Sequence, residues 1–214
     1  MGQKIAVLDY GMGNLRSVSK AIEHVAPDAQ VRVTDDHEWI KAADRIVFPG
    51  QGAARDCMAA IGEHHLNREV REAMQNKPFL GICMGLQVLM EFSEENGGTE
   101  LLGIFPGKVQ RFSADMPGDN GLPLKIPHMG WSQVNQRQQH PLWQGIADGA
   151  RFYFVHSYHV VPEDRTLIAA TTDYGMEFVS AIAVGNLFAV QFHPEKSADA
   201  GLCLLKNFVS WEPS

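Results

Sequence analysis

Phe79-Leu80-Gly81-Ile82-Cys83-Met84-Gly85-Leu86-Gln87 joins a short apolar run to an amphipathic stretch through a cysteine with a glycine two residues to either side. The run Phe79–Ile82 predicts a strand, and the spacing of Leu86, Val88, Leu89 and Phe92 predicts a helix after it. Gly81 and Gly85 let the chain turn sharply and hold Cys83 in a strained conformation with its side chain presented outward. That is the strand–turn–helix setting of a nucleophile elbow, with cysteine where other hydrolases carry serine. A helix N-terminus favours the thiolate, the reactive form of a cysteine. The N–H of Met84 then faces the place where an oxyanion would form. The competing reading is a buried structural thiol, the usual fate of a free cysteine. The glycine brackets favour catalysis.

Upstream of this turn, short apolar strands alternate with helical stretches. Ile5–Leu8, Val31–Val33 and Arg45–Phe48 read as strands, the last stopped by Pro49-Gly50. Asn14 is placed to cap a helix carrying Leu15, Val18, Ala21, Ile22 and Val25 on one face, and further helices cover 54–62 and 66–76. This alternation predicts a doubly wound, flavodoxin-like α/β core with a mostly parallel sheet. Downstream the pattern changes to strands at Ile104–Phe112, Trp131–Val134, Phe152–Val161, Leu167–Thr172, Val179–Val184 and Leu187–Phe192, with a hairpin turn at Gly185-Asn186. These are expected to add antiparallel strands in the C-terminal half. A loop rich in Gly, Pro and Asp between Ser113 and Pro127 is expected to be exposed, and a helix at Leu202–Trp211 ends the pattern.

A thiol nucleophile needs a base, and the base needs a group that orients it. Gln191-Phe192-His193-Pro194-Glu195-Lys196-Ser197 offers both at the end of a predicted strand. His193 and Glu195 are two residues apart, so in an extended segment they share a face. The carboxylate can fix the imidazole tautomer and stabilise imidazolium. A surface turn would have the same spacing, and spacing alone does not bring the pair to Cys83. Pro49-Gly50-Gln51-Gly52 is a third element: its glycines can aim backbone N–H groups at an anion or let a peptide flip. Its position after a strand places it at the end of a parallel sheet where ligands gather.

The 214 residues are 45% hydrophobic and 20% charged, the composition of one folded domain spanning 1–214. A net charge of -7 argues against a nucleic-acid partner. The three cysteines, at 57, 83 and 203, form no CxxC pair, so neither structural zinc nor a redox motif is indicated. No apolar run reaches the roughly 20 residues of a membrane helix. No signal peptide is read at the N-terminus, and reduced thiols fit a cytoplasmic location. Cys57 and Cys203 read as small core residues. His24, His37, His64, His65 and His140 show no partner pattern, and His128 and His156 carry no chemical demand for a role.

Pro49–Gly52, Gly81–Gln87 and Gln191–Ser197 resemble, in the same order, the three signature segments of the class I, triad-type glutamine amidotransferases. Gln51 stands where that pattern has valine. Asp9–Val18, Pro127–Trp131 and Tyr153–Val160 are similar to the amidotransferase subunits of imidazole glycerol phosphate synthases within that family, and the likeness runs nearly end to end. The resemblance implies a cofactor-free glutaminase in which Cys83 attacks the glutamine carboxamide, His193 relays protons and Glu195 orients it. It implies backbone amides of Gly50, Gln51 and Met84 around an oxyanion, and Gln87 with the backbone of Gly52, Ser157 and Tyr158 holding the substrate. It also implies a heterodimer with a (β/α)8-barrel cyclase subunit that receives the ammonia, with Trp131, Tyr153 and Lys196 near the docking mouth. Core aromatics and a solvated lysine are the alternative readings of those three. Rival assignments are the amidotransferase subunit of another synthase, such as that of pyridoxal phosphate synthesis, a flavodoxin-like cysteine hydrolase, and a binding module without activity.

Overall fold

The computed structural model describes residues 2–116, 118 and 123–213. The first half runs β1 (Lys4–Leu8), α1 (Leu15–Val25), β2 (Gln30–Thr34), α2 (His37–Ala42), β3 (Arg45–Gly50), α3 (Ala54–Glu63), α4 (Asn67–Asn76), β4 (Phe79–Cys83) and α5 (Met84–Gln87). The second half runs β5 (Phe92–Ser93), β6 (Thr99–Glu100), β7 (Gly107–Arg111), β8 (His128–Gln133), β9 (Asn135–Gln136), β10 (Arg151–His156), β11 (Tyr158–Pro162), β12 (Ile168–Asp173), β13 (Glu177–Val184), β14 (Leu187–Val190) and α6 (Ala198–Ser210).

β3 and β4 are buried along their whole length, as strands must be when helices cover both faces of a parallel sheet. On one face Val7, Val18, Ile22, Phe188, Leu204 and Phe208 form a core under α1 and α6. On the other, Leu8, Phe48, Cys57, Ile61, Val70 and Met74 pack under α3 and α4. The central order is β2-β1-β3-β4-β14, all parallel. This is the flavodoxin-like order, with its fifth strand supplied from far along the chain. β13, β11 and β7 extend the same sheet antiparallel, whereas β8 and β10, among the described residues, pair only with each other in a separate ribbon. The expected doubly wound core with antiparallel additions is therefore present. Among the described residues, no helix is long and apolar enough to cross a membrane.

Several local expectations need correction. The helix expected through Phe92 is a single turn, α5, because Val88, Leu89 and Met90 give their carbonyls to the N–H groups of residues 102–105 and Phe92 enters a strand. The same bonds occupy Ile104 and Phe105, so the strand expected from Ile104 starts at Gly107. The strand expected over Phe152–Val161 is broken at Ser157 into β10 and β11, which belong to different sheets. α2 answers to no sequence expectation: Asp36 caps it by accepting from the N–H groups of Glu38 and Trp39, and only Ile40 is buried in it, too little for a periodic signal. Asn14 does precede α1, but its side chain makes no capping bond. In the expected exposed loop, Met116 is buried, and 117 and 119–122 lie outside the described residues.

Candidate active site

The carboxyl ends of β3, β4 and β14 bring the three sequence elements to one place. Gly50 lies opposite Cys83 in the β3–β4 register, and Val190 lies opposite Ile82 in the β14–β4 register. Cys83 has φ 56° and ψ -107°, the strained turn expected of an elbow. The glycines beside it are required by space. A Cβ at Gly85 would strike the carbonyl oxygen of Phe48, and one at Gly81 would lie 2.7 Å from the Gly85 oxygen and 2.9 Å from the Cβ of Ala189. Gly50 is equally confined, between the hydroxyl of Tyr10 and the Cβ of Met84.

The segment after β3 is tied at both flanks. Tyr10 donates its hydroxyl to the Pro49 oxygen at 2.9 Å, and Cys57 donates its thiol to the Gln51 oxygen at 3.5 Å. Burial, reinforced by Cys83, pushes the Cys57 thiol up to about 12, so it stays a donor. Between these ties the Gly50–Gln51 peptide has glycine freedom on one side. Cys57 is thus a core residue, as expected, that also ties down the segment beside Cys83.

His193 follows β14 and is 1% exposed. Its Nδ1 lies 2.9 Å from Glu195 Oε1, with both side chains almost wholly buried. Nδ1 is engaged by the carboxylate, so Nε2 is the nitrogen left for Cys83; it has no hydrogen-bond partner among the described residues. Burial opposes protonation of this imidazole, but Cys83 and Glu195 outweigh burial and push its pKa up to about 10. No hydrogen bond of regular length joins Nε2 to the Cys83 sulfur. The turn around His193 is braced by Ser197, whose Oγ donates to the His193 oxygen at 2.6 Å and accepts from the Tyr153 N–H at 2.9 Å.

Cys83 and His193 open into one cavity of about 370 Å³, also lined by Gln51, Gly52, Met84, Gln87, Ser157, Tyr158 and Lys196. Every candidate substrate residue except Gly50 lines it, and Gly50 abuts it beside Met84. Glu195 stands behind His193. Trp131 and Tyr153 do not line the cavity. They face each other across the β8–β10 ribbon, ring centroids 6.1 Å apart, and Trp131 is 45% exposed. The core alternative for Trp131 is therefore excluded. Met129, 62% exposed, stands on the same face.

Glu95, Val155 and His156 also line the cavity, and Gln191 is fully buried beside Cys83; none of the four has a role argued for it from the sequence. A polar Gln191 straight after the apolar run Leu187–Val190 was the available signal. Three histidines without a partner pattern in the sequence have partners: His37 with Glu69 at 2.7 Å, His64 with Asp35 at 3.0 Å, and His140, whose Nδ1 accepts from the Leu142 N–H at 3.2 Å. Such an arrangement can attack a carbonyl with sulfur, move a proton through an oriented imidazole and hold an oxyanion on backbone N–H groups.

The family model for glutamine amidotransferase class-I matches residues 6–210. The chain belongs to the class I glutamine amidotransferases. This amidotransferase is 61% identical over 214 residues to the imidazole glycerol phosphate synthase subunit HisH of Thiobacillus denitrificans, covering 100% of this chain and 93% of that protein. It is 59% identical over 210 residues to the HisH subunit of Aromatoleum aromaticum, covering 98% and 99% of the two chains. In fold, the amidotransferase matches a chain in the structure of PurLQS from Thermotoga maritima with a TM-score of 0.74 at 17% identity, covering 98% of this chain and 99% of that one.

Proposed function

We infer that this chain is the glutaminase subunit of an imidazole glycerol phosphate synthase, hydrolysing glutamine to glutamate and ammonia and supplying the ammonia to a cyclase subunit in histidine biosynthesis. The observation that carries the chemistry is the strained Cys83 opening into the same cavity as an imidazole backed by a buried carboxylate. The high identity to HisH subunits over the full chain supports the biological setting.

Cys83 Sγ attacks the side-chain amide carbon of glutamine. The oxyanion is held by the N–H of Met84 and by backbone amides of Gly50 and Gln51. His193, protonated on Nε2, gives its proton to the departing nitrogen, so ammonia leaves and a thioester remains. The imidazole then takes a proton from water, which attacks the thioester; glutamate and the free thiol follow. Glu195 keeps Nδ1 protonated and the ring oriented. Gln87, Gly52, Ser157 and Tyr158 hold the amino-acid end, with Glu95 and Lys196 offering charges of opposite sign for a zwitterion. No cofactor or metal enters this scheme.

Ammonia in water is protonated and lost as a nucleophile, so delivery through a bound partner is chemically sound. The partner is a (β/α)8-barrel cyclase that uses ammonia to form imidazole glycerol phosphate and AICAR. The face bearing Trp131, Met129 and Tyr153, with Lys196 at the cavity, is where we place it. The complex is heterodimeric and cytoplasmic. Partner binding acts on the Gly50–Gln51 peptide, shifting it toward the orientation that serves the oxyanion.

Replacing Cys83 by Ala should abolish glutamine-dependent synthesis in the assembled complex and leave synthesis from added ammonium near the wild-type rate. A Cys83→Ala complex that still turns over glutamine would overturn the assignment of the nucleophile.

A further inference from the structure

His128 and His156 form a buried pair that the reaction scheme leaves unused. His128 Nδ1 lies 3.0 Å from His156 Nε2, His128 Nε2 lies 2.9 Å from Ser132 Oγ, and His156 Nδ1 lies 2.8 Å from the Tyr158 oxygen. From that same oxygen a second arm runs to the nucleophile. Gln87 Nε2 donates to the Tyr158 oxygen at 3.1 Å and to Gln191 Oε1 at 2.9 Å, and Gln191 Nε2 donates to Cys83 Sγ at 3.6 Å. A continuous polar chain thus joins the β8–β10 ribbon to the reactive sulfur.

The directions along this chain follow from one atom. A carbonyl oxygen only accepts, so His156 must carry its proton on Nδ1 and Gln87 must present its NH2. His156 Nε2 is then an acceptor, which puts the His128 proton on Nδ1 and leaves His128 Nε2 to accept from Ser132. On the other arm, Gln191 must turn its oxygen to Gln87 and therefore its N–H to the sulfur. An N–H there stabilises a thiolate; a reversed amide would put a carbonyl oxygen against it. The scheme requires both rings to be neutral. Burial lowers His128 to about 4; it also lowers His156, against the opposing pull of the Tyr158 oxygen and with histidines 128, 159 and 193 adding to it, to about 3.

We propose that His128 and His156 are positioning residues for Cys83. They pin the Tyr158 carbonyl at the corner where β10 passes into β11, and that carbonyl orients Gln87 and Gln191 so that an amide N–H faces the sulfur. The proposal rests on the glutaminase reading for its kinetic consequence, but the orientation of the amide toward Cys83 does not.

Two substitutions at one position separate positioning from packing. The His156 ring lies 5.1 to 5.6 Å from the rings of Phe112, Phe154 and Phe178. His156→Phe keeps an aromatic ring among them and removes the donor. His156→Asn loses the ring and keeps an N–H where Nδ1 stood. With full-length protein, the rate of iodoacetamide labelling of the Cys83 peptide at fixed pH should fall about 10-fold in His156→Phe and about 2-fold in His156→Asn. Glutaminase kcat/KM of the complex should follow the same order, with most of the loss in kcat. His128→Phe, which leaves the Tyr158 bond but strands His156 Nε2, should fall between them. Faster or unchanged labelling in His156→Phe, or the reverse order with Asn worse than Phe, would overturn the proposal. Labelling in the predicted order from a protein inactive on glutamine would sustain the positioning and overturn the substrate instead.

Discussion

On one side of the cavity Cys83 is held mainly by shape; on the other His193 is held mainly by bonds. The elbow depends on two glycines whose missing Cβ atoms would meet the Phe48 and Gly85 carbonyls, and on a backbone at φ 56° that the packed sheet enforces. The His193 turn has φ -106° at His193 itself and is fixed chiefly by Glu195, Ser197 and the backbone of Tyr153, with one steric demand of its own, since a Cβ at Gly201 would strike the Pro194 carbonyl oxygen. Steric confinement between backbone atoms has no partial failure, because neither side can yield. Hydrogen bonds and charge fail by degrees and respond to pH. The two halves of one active site should therefore break in different ways.

The largest effect belongs to the steric side. Gly85→Ala drives a methyl into the Phe48 carbonyl and should cost about 3 kcal/mol or more, a large share of the stability of an ordinary domain. Gly62, in α3, has open space around its would-be Cβ, and Gly62→Ala should stabilise by about 0.5–1 kcal/mol. Urea denaturation of both variants tests the contrast. A Gly85→Ala protein as stable as the wild type would show that the elbow yields after all.

The difference also explains what could be read from the sequence. The elbow was legible because its steric demand is written locally, in Gly81 and Gly85 on either side of Cys83, although the atoms they avoid come from elsewhere. The parallel core was legible through the apolar runs of β1, β3 and β4. The short length of α5 was not, because the groups that take its following carbonyls lie at residues 102–105. Nor was the break at Ser157, since the residues on both sides favour strand and only pairing with different partners divides them. His156 escaped for the same reason, since it gains meaning only from His128 and from a corner in the chain, whereas Gln191 left a local trace, a polar residue after an apolar run, that does not name its partner Gln87.

On the bonded side, Glu195→Gln should keep the fold and lower glutaminase kcat about 100-fold, because the amide accepts from Nδ1 but carries no charge to stabilise imidazolium. Its stability should also change with pH in a defined direction. The His193 pKa is raised in the folded protein, to about 10. A raised value contributes stability that is whole below about pH 6.5, the unfolded value, and is lost as pH rises toward 10. The Gln variant forfeits part of that contribution. Its deficit in urea midpoint should be widest near pH 6 and narrow toward pH 10. A gap that is constant or widens over that range would show that the carboxylate does not hold a charged ring.

The smallest effect sharpens the same distinction at Ser197. By position Ser197 precedes α6 and reads as a helix cap, yet its side chain makes no capping bond. It turns back instead, to the His193 oxygen and the Tyr153 N–H. A cap and a brace answer differently to two substitutions. If Ser197 served the helix, glycine would be tolerated within a few tenths of a kcal/mol, alanine would cost about 1, and neither would touch catalysis. As a brace it should lose the same bonds in either variant, with about 1–2 kcal/mol of stability, and kcat should fall several-fold at nearly constant KM. Wild-type kcat in the glycine variant would return Ser197 to the helix and leave Glu195 as the main restraint on the imidazole.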